Sequence, residues 1–164
     1  MAGTIGGLDG GREAMGLSGK KWPARADIDG SGPWMLAQGT HQEKPIFVRI
    51  NEGLKAIAGH PDYRDQIRIA VPLRAPTDQG LPDEAESAEL HAVEDSLCET
   101  LLEGNESLLA LVLTAGGVRE FVFYTVDKDA AQRKAMAVGR SVATHRFRFT
   151  LRRDPEWQVF KQFA

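Results

Sequence analysis

Apolar and polar residues alternate along this chain in short runs, and the period of the alternation changes from segment to segment. "WMLAQGT" (34–40) and "PIFVRI" (45–50) are apolar runs on either side of the polar turn "HQEK", which predicts a β-hairpin. "NEGLKAIAG" spaces Leu54, Ile57 and Ala58 helically and stops at Gly59, predicting about two turns of helix. "QIRIAVPL" (66–73) puts Ile67, Ile69 and Val71 on one side, the period-two mark of a strand, weakened at its end by Pro72. Asp83 with Glu86 three residues on has the form of a capping box. Leu90, Val93, Leu97 and Leu101 then form the apolar stripe of a helix that Gly104 and Asn105 end.

The second half repeats the scheme. "LLALVLT" (108–114) is a nearly all-apolar strand, turned back by "AGG" into "VREFVFYTV" as a second hairpin. Asp127 or Asp129 is placed to cap a helix through Ala135 and Val138 that ends near Gly139. "HRFRFTLRR" (145–153) reads as the last strand. Phe147, Phe149 and Leu151 share one face, and Arg146, Arg148, Thr150 and Arg152 the other. Asp154 is expected to cap a short final helix with Pro155 at its first position, and Trp157, Phe160 and Phe163 to pack onto the sheet. From Gln66 onward the order is strand-helix-strand-strand-helix-strand, the βαββαβ order of a ferredoxin-like core. The expectation is an α+β fold with an antiparallel-rich sheet, helices mainly on one face and an added N-terminal hairpin.

Three stretches also carry a resemblance. "GLPDEAESAELHAVEDSL" (80–97), "REFVFYTVD" (119–127) and "DPEWQVF" (154–160) are similar, in that order, to marks of a bacterial family, "domain of unknown function 695". There a Gly-Leu-Pro stretch opens a helix, a Thr-Gly turn leads into an aromatic strand, and an Asp-Pro-Glu-Trp segment lies near the C-terminus. Here the turn is Ala-Gly-Gly, and the chain stops soon after Trp157. The same features look like the type B regulator of RNase E activity, a ferredoxin-like protein that inhibits a ribonuclease by binding it. The first resemblance implies a fold far more than a function. The second implies a ribonuclease regulator or RNA-associated protein.

Composition adds bounds. With 164 residues, 42% hydrophobic and 26% charged, the chain suits one soluble domain. Residues 1–21 hold seven glycines and little to bury, so they are read as a disordered tail before one domain over 22–164. Met15 is an alternative start. "GLSGKK" fails as a phosphate loop, because Ala14 stands where its first glycine belongs and Lys21 where Ser or Thr belongs. No apolar run approaches the ~20 residues of a membrane span. The N-terminus has glycines and charges where a secretion signal has an apolar run, so the expected compartment is the cytoplasm. The net charge of −3 makes no global case for nucleic acid.

Candidate chemistry is sparse. His91, Glu94 and Asp95 lie at i, i+3 and i+4, so one helix face could offer an imidazole and two carboxylates to a divalent metal, as in a metal-dependent hydrolase. The alternative is a solvated acidic helix face. The serines lack a strained elbow, and acidic neighbours raise the Cys98 thiol, the wrong direction for a nucleophile. No catalytic set and no cofactor or metal requirement emerges. In the strand after Gly117, Arg119, Phe121 and Phe123 share one face and Val118, Glu120, Val122, Tyr124 and Val126 the other. Such a strand either stacks RNA bases or is a core strand covered on both sides, and the missing RNP1 glycine, with Glu120 in its place, favours the core. The strongest signal is charge segregation. Nine acids and no Lys or Arg lie between Asp83 and Glu106, and seven Lys or Arg and no acid between Arg133 and Arg153. Arg146, Arg148 and Arg152 either protect an edge strand or grip a partner's carboxylates. The expected function is a non-enzymatic protein-binding or regulatory domain, its partner another protein or a second copy.

Overall fold

Six strands form one sheet in the computed structural model, which describes residues 19–164. In chain order they are β1 (Trp34–His41), β2 (Lys44–Asn51), β3 (Asp65–Pro72), β4 (Ser107–Ala115), β5 (Val118–Thr125) and β6 (Arg148–Arg153). The helices are α1 (Glu84–Leu101), α2 (Lys128–Ser141) and α3 (Gln158–Lys161). The sheet order is β1-β2-β4-β5-β3-β6, and every neighbouring pair is antiparallel. The fold is α+β, as the pattern of runs predicts. β5 lies between the two strands that α1 joins, and β3 between the two that α2 joins, so two split units interleave. The β1–β2 hairpin extends the sheet beyond β4.

The helix-side core combines Ile67, Ile69 and Val71 of β3 and Phe121 and Phe123 of β5 with the α1 stripe and Ala131, Ala135 and Val138 of α2. All four stripe residues of α1 are buried. A fully buried side chain of this size contributes roughly 1.5–3 kcal/mol, against a few tenths for a surface ion pair on a helix. Burial therefore holds α1 in place.

The opposite face is covered too. Leu54, Ile57 and Tyr63, from the segment between β2 and β3, meet Val122 and Tyr124 there, together with Trp157, Val159 and Phe160 from the C-terminal segment. Trp157 stacks on Tyr124 with ring centres 3.9 Å apart and planes 7° off parallel. Its indole N–H donates to the Tyr63 carbonyl at 2.8 Å. The Tyr124 hydroxyl donates to Asp154 at 2.8 Å. Burial, reinforced by that bond to the Asp154 carboxylate, pushes the Tyr124 pKa well up.

Several boundaries differ from the sequence reading. "NEGLKAI" makes a 3-10 turn (Glu52–Ile57) in place of a short α-helix. α2 is capped by Asp127, not Asp129, and runs past Gly139 to Ser141. A Cβ on Gly139 would stand 3.0 Å from the Phe147 ring, so glycine here admits the aromatic and does not stop the helix. β6 begins at Arg148 rather than His145. Asp154 does accept from the backbone N–H groups of Gln158 and Val159. The helix that it serves, however, starts at Gln158, so Pro155 lies in the preceding turn. Of the tail read over residues 1–21, residues 1–18 and the candidate start Met15 lie outside the described part. The Lys20 amino group donates to the Ala56 carbonyl at 2.7 Å and lies 3.9 Å from the Trp22 ring centre. No described helix is long and apolar enough to cross a membrane.

Candidate functional site

Where α2 ends and the chain turns into β6, an open groove of about 1030 Å³ forms against the end of β3. Arg74 follows β3, Arg140 lies in the last turn of α2, Arg146 precedes β6 and Arg148 starts it; all four line the groove. Its apolar wall comes from Met136, Phe147 and Phe149. Met136 is 41% exposed. Arg74 is bound to Glu89 at 2.6 Å. Arg140, Arg146 and Arg148 meet no carboxylate among the described residues.

The sequence reading places Arg146, Arg148 and Arg152 on one face of the last strand. The structure keeps Arg148 and Arg152 in β6 with Thr150 between them, all three exposed, while Arg146 stands ahead of the strand, also exposed. Arg146 and Arg148 share the large groove. Arg152 lines a separate recess of about 200 Å³ beside Glu156 and Gln158.

Beneath the groove lies a buried ion-pair geometry. The His145 Nε2 is 2.8 Å from Glu86 Oε1, with the two side chains 0% and 3% exposed. The Glu86 carboxylate also accepts the backbone N–H of Arg74 at 2.5 Å and of Ala75 at 3.3 Å. Burial alone would raise the Glu86 pKa. The N–H of Arg74, the His145 ring and the N–H of Ala75 outweigh it, so the carboxyl is held below its ordinary range. Half of the expected capping box is present, since Asp83 accepts from the Glu86 N–H at 2.8 Å. The other half is redirected: the Glu86 side chain serves the β3–α1 loop and His145, 59 residues away in sequence.

A family model described as "Family of unknown function (DUF695)" matches residues 33–164. The chain belongs to this family. The match takes in all six strands of the DUF695 chain and the whole groove. No curated protein matches it, and no solved structure does; the comparisons bring out no regulator of RNase E.

The other candidate residues of this DUF695 protein do not assemble. Glu94 is bound to Arg49 at 2.8 Å, whereas His91 and Asp95 are exposed. Among the described residues no three His, Cys, Asp or Glu side chains group as metal ligands. Phe121, Phe123, Val122 and Tyr124 are each 0% exposed, so neither face of β5 presents an aromatic to a base. Burial, with Glu94 and Asp95 adding to it, pushes the Cys98 thiol up to about 12. A maleimide is therefore expected to modify Cys98 slowly in the native protein and rapidly in denaturant. Mass spectrometry over a time course checks this, and equal rates would show the thiol to be reactive in the fold.

Arg74, Arg140 and the Glu86–His145 pair escape a sequence reading. Arg74 and Arg140 are single cations in separate segments. His145 lies beside the arginine run and looks like one more surface residue. The one available signal is that the basic run 140–153 continues back into the end of α2 at Arg140.

Proposed function

We propose that this DUF695 protein is a non-enzymatic recognition domain that holds the acidic surface of a protein partner at its arginine-lined groove. The observation that carries the reading is the set of Arg140, Arg146 and Arg148, without carboxylate partners among the described residues, on one open groove with an apolar wall. Guanidinium forks match carboxylates bidentately. One exposed ion pair contributes only ~0–1 kcal/mol, so recognition requires several arginines acting together beside apolar contacts that exclude water. A second copy of the chain is one partner of the right chemistry, because Glu84, Asp95, Glu99 and Glu103 of α1 and the turn after it are exposed.

Three proteins test the reading: wild type, a variant with Arg146, Arg148 and Arg152 all changed to Lys, and the charge reversal R140E/R146E/R148E. Partners captured from the native lysate are purified and their affinities measured. The lysine variant keeps charge but loses the fork, so binding is expected to weaken several-fold. The reversal is expected to abolish it, with both variants keeping the wild-type melting temperature. A purified partner that binds all three equally would overturn the proposal. So would turnover of esters, phosphoesters or nucleotides that follows the pure protein through successive columns. Sedimentation at low and moderate salt decides the homodimer: monomers throughout rule out the second copy and leave the arginines to a different acidic partner or to edge protection.

A further inference from the structure

The position of β6 narrows what an acidic partner presents here. We infer that the arginine edge takes up an extended segment alternating acidic and apolar residues, added to the sheet as a new strand beside β6. The inference rests on the acidic-partner reading above. β6 pairs with β3 alone, and its outer edge meets no strand among the described residues. Among the described residues no loop or side chain bonds the backbone N–H and C=O groups along that edge, which suits it to pair with an incoming chain. The two faces of β6 differ in chemistry. Arg148 and Arg152 stand on one, whereas Phe149 and Leu151 stand on the helix side, only half-buried against the core. Directly opposed residues of paired strands share a face. An added strand thus faces Arg148, Thr150 and Arg152 with every second side chain, and an apolar margin, continued by Met136 and Phe147, with the others.

Edge protection is the competing account of these arginines, and β1 argues against it. That edge is longer, eight residues against six, and exposes Met35 and Leu36. It carries no Lys, Arg, Asp or Glu at all. A chain that placed charge only to blunt its edges would charge β1 first.

The probe is the labelled heptapeptide acetyl-Val-Glu-Val-Glu-Val-Glu-Val-amide, with affinity read by fluorescence anisotropy on the full-length protein. A peptide of the same composition with its glutamates in one block is the control. Two further versions are N-methylated, one at the Val amides and one at the Glu amides. Successive N–H groups of a strand point to opposite sides, so only one methylated set faces β6. The expected result is saturable binding of the alternating peptide, with the block control at least about tenfold weaker, or ~1.4 kcal/mol. One methylated version loses binding and the other keeps it. If both methylated versions bind like the parent, or the block control binds equally, strand addition fails while the acidic-partner reading stands. Absence of saturable binding also overturns the strand. If R146E/R148E protein binds the parent peptide as tightly as wild type, the recognition reading itself fails.

Discussion

Replacing Trp157 with alanine lowers the unfolding free energy by ~3–5 kcal/mol, the range for deleting a buried large aromatic. Trp157 is 0% exposed and stacks on Tyr124, with Tyr63 and Phe160 edge-on to it. The truncation opens a cavity on the sheet face opposite α1 and α2. It also leaves the Tyr63 carbonyl without its indole donor. The backbone at Trp157 has a φ of 55°, in the left-handed region that a side chain of this size occupies only where packing holds it. Without the ring, the Asp154 bonds to the Gln158 and Val159 N–H groups are left to hold that turn, and α3 is expected to loosen from the sheet. Urea unfolding measures the loss. Trp157→Phe keeps most of the stacking and should cost clearly less than alanine. Equal costs would show that the indole N–H bond, and not the packed ring, anchors the segment.

Glu86→Ala is expected to cost roughly 3 kcal/mol, although the sequence offers Glu86 only as a capping-box residue. The substitution orphans the His145 ring and the N–H groups of Arg74 and Ala75, and each buried group left unsatisfied costs ~1–3 kcal/mol. The pH dependence has a definite sign. The folded Glu86 pKa is lowered, so between the folded value and the ordinary glutamate value of about 4.3 the unfolded chain binds more protons. The stabilisation is complete above that range and disappears as the pH falls through the folded value. Wild type should therefore lose more stability than Glu86→Gln on acidification from roughly pH 5 to pH 3. Parallel urea titrations check this, and identical acid slopes would show that Glu86 is not held ionised by its donors. Glu86→Ala combined with His145→Ala should cost less than the sum of the two, because they remove one shared interaction.

The period of the apolar residues was enough to locate all six strands, α1 and α2, because each presents a face that must be buried, and burial is written one residue at a time. Alternation at Ile67, Ile69 and Val71 and the 3.6-residue stripe of α1 are of this kind. Charge segregation likewise put Arg146, Arg148 and Arg152 on the surface from sequence alone, since a run of like charges has nowhere to be buried.

Other features were decided only when distant segments met. Whether β5 carried open aromatics depended on what covered its second face. That cover came from the segment after β2 and from the C-terminal segment, with Trp157 seated on Tyr124. Gly139 looked like a helix stop, but Phe147 required the missing Cβ. Glu86 had the sequence of a reciprocal cap, yet its carboxylate turned to two loop N–H groups and a histidine 59 residues on. Arg74 and Arg140 joined the groove only because β3 and the end of α2 lie beside the start of β6. A local pattern records what one segment must bury, whereas a site is made of side chains whose neighbours in space are not their neighbours in the chain.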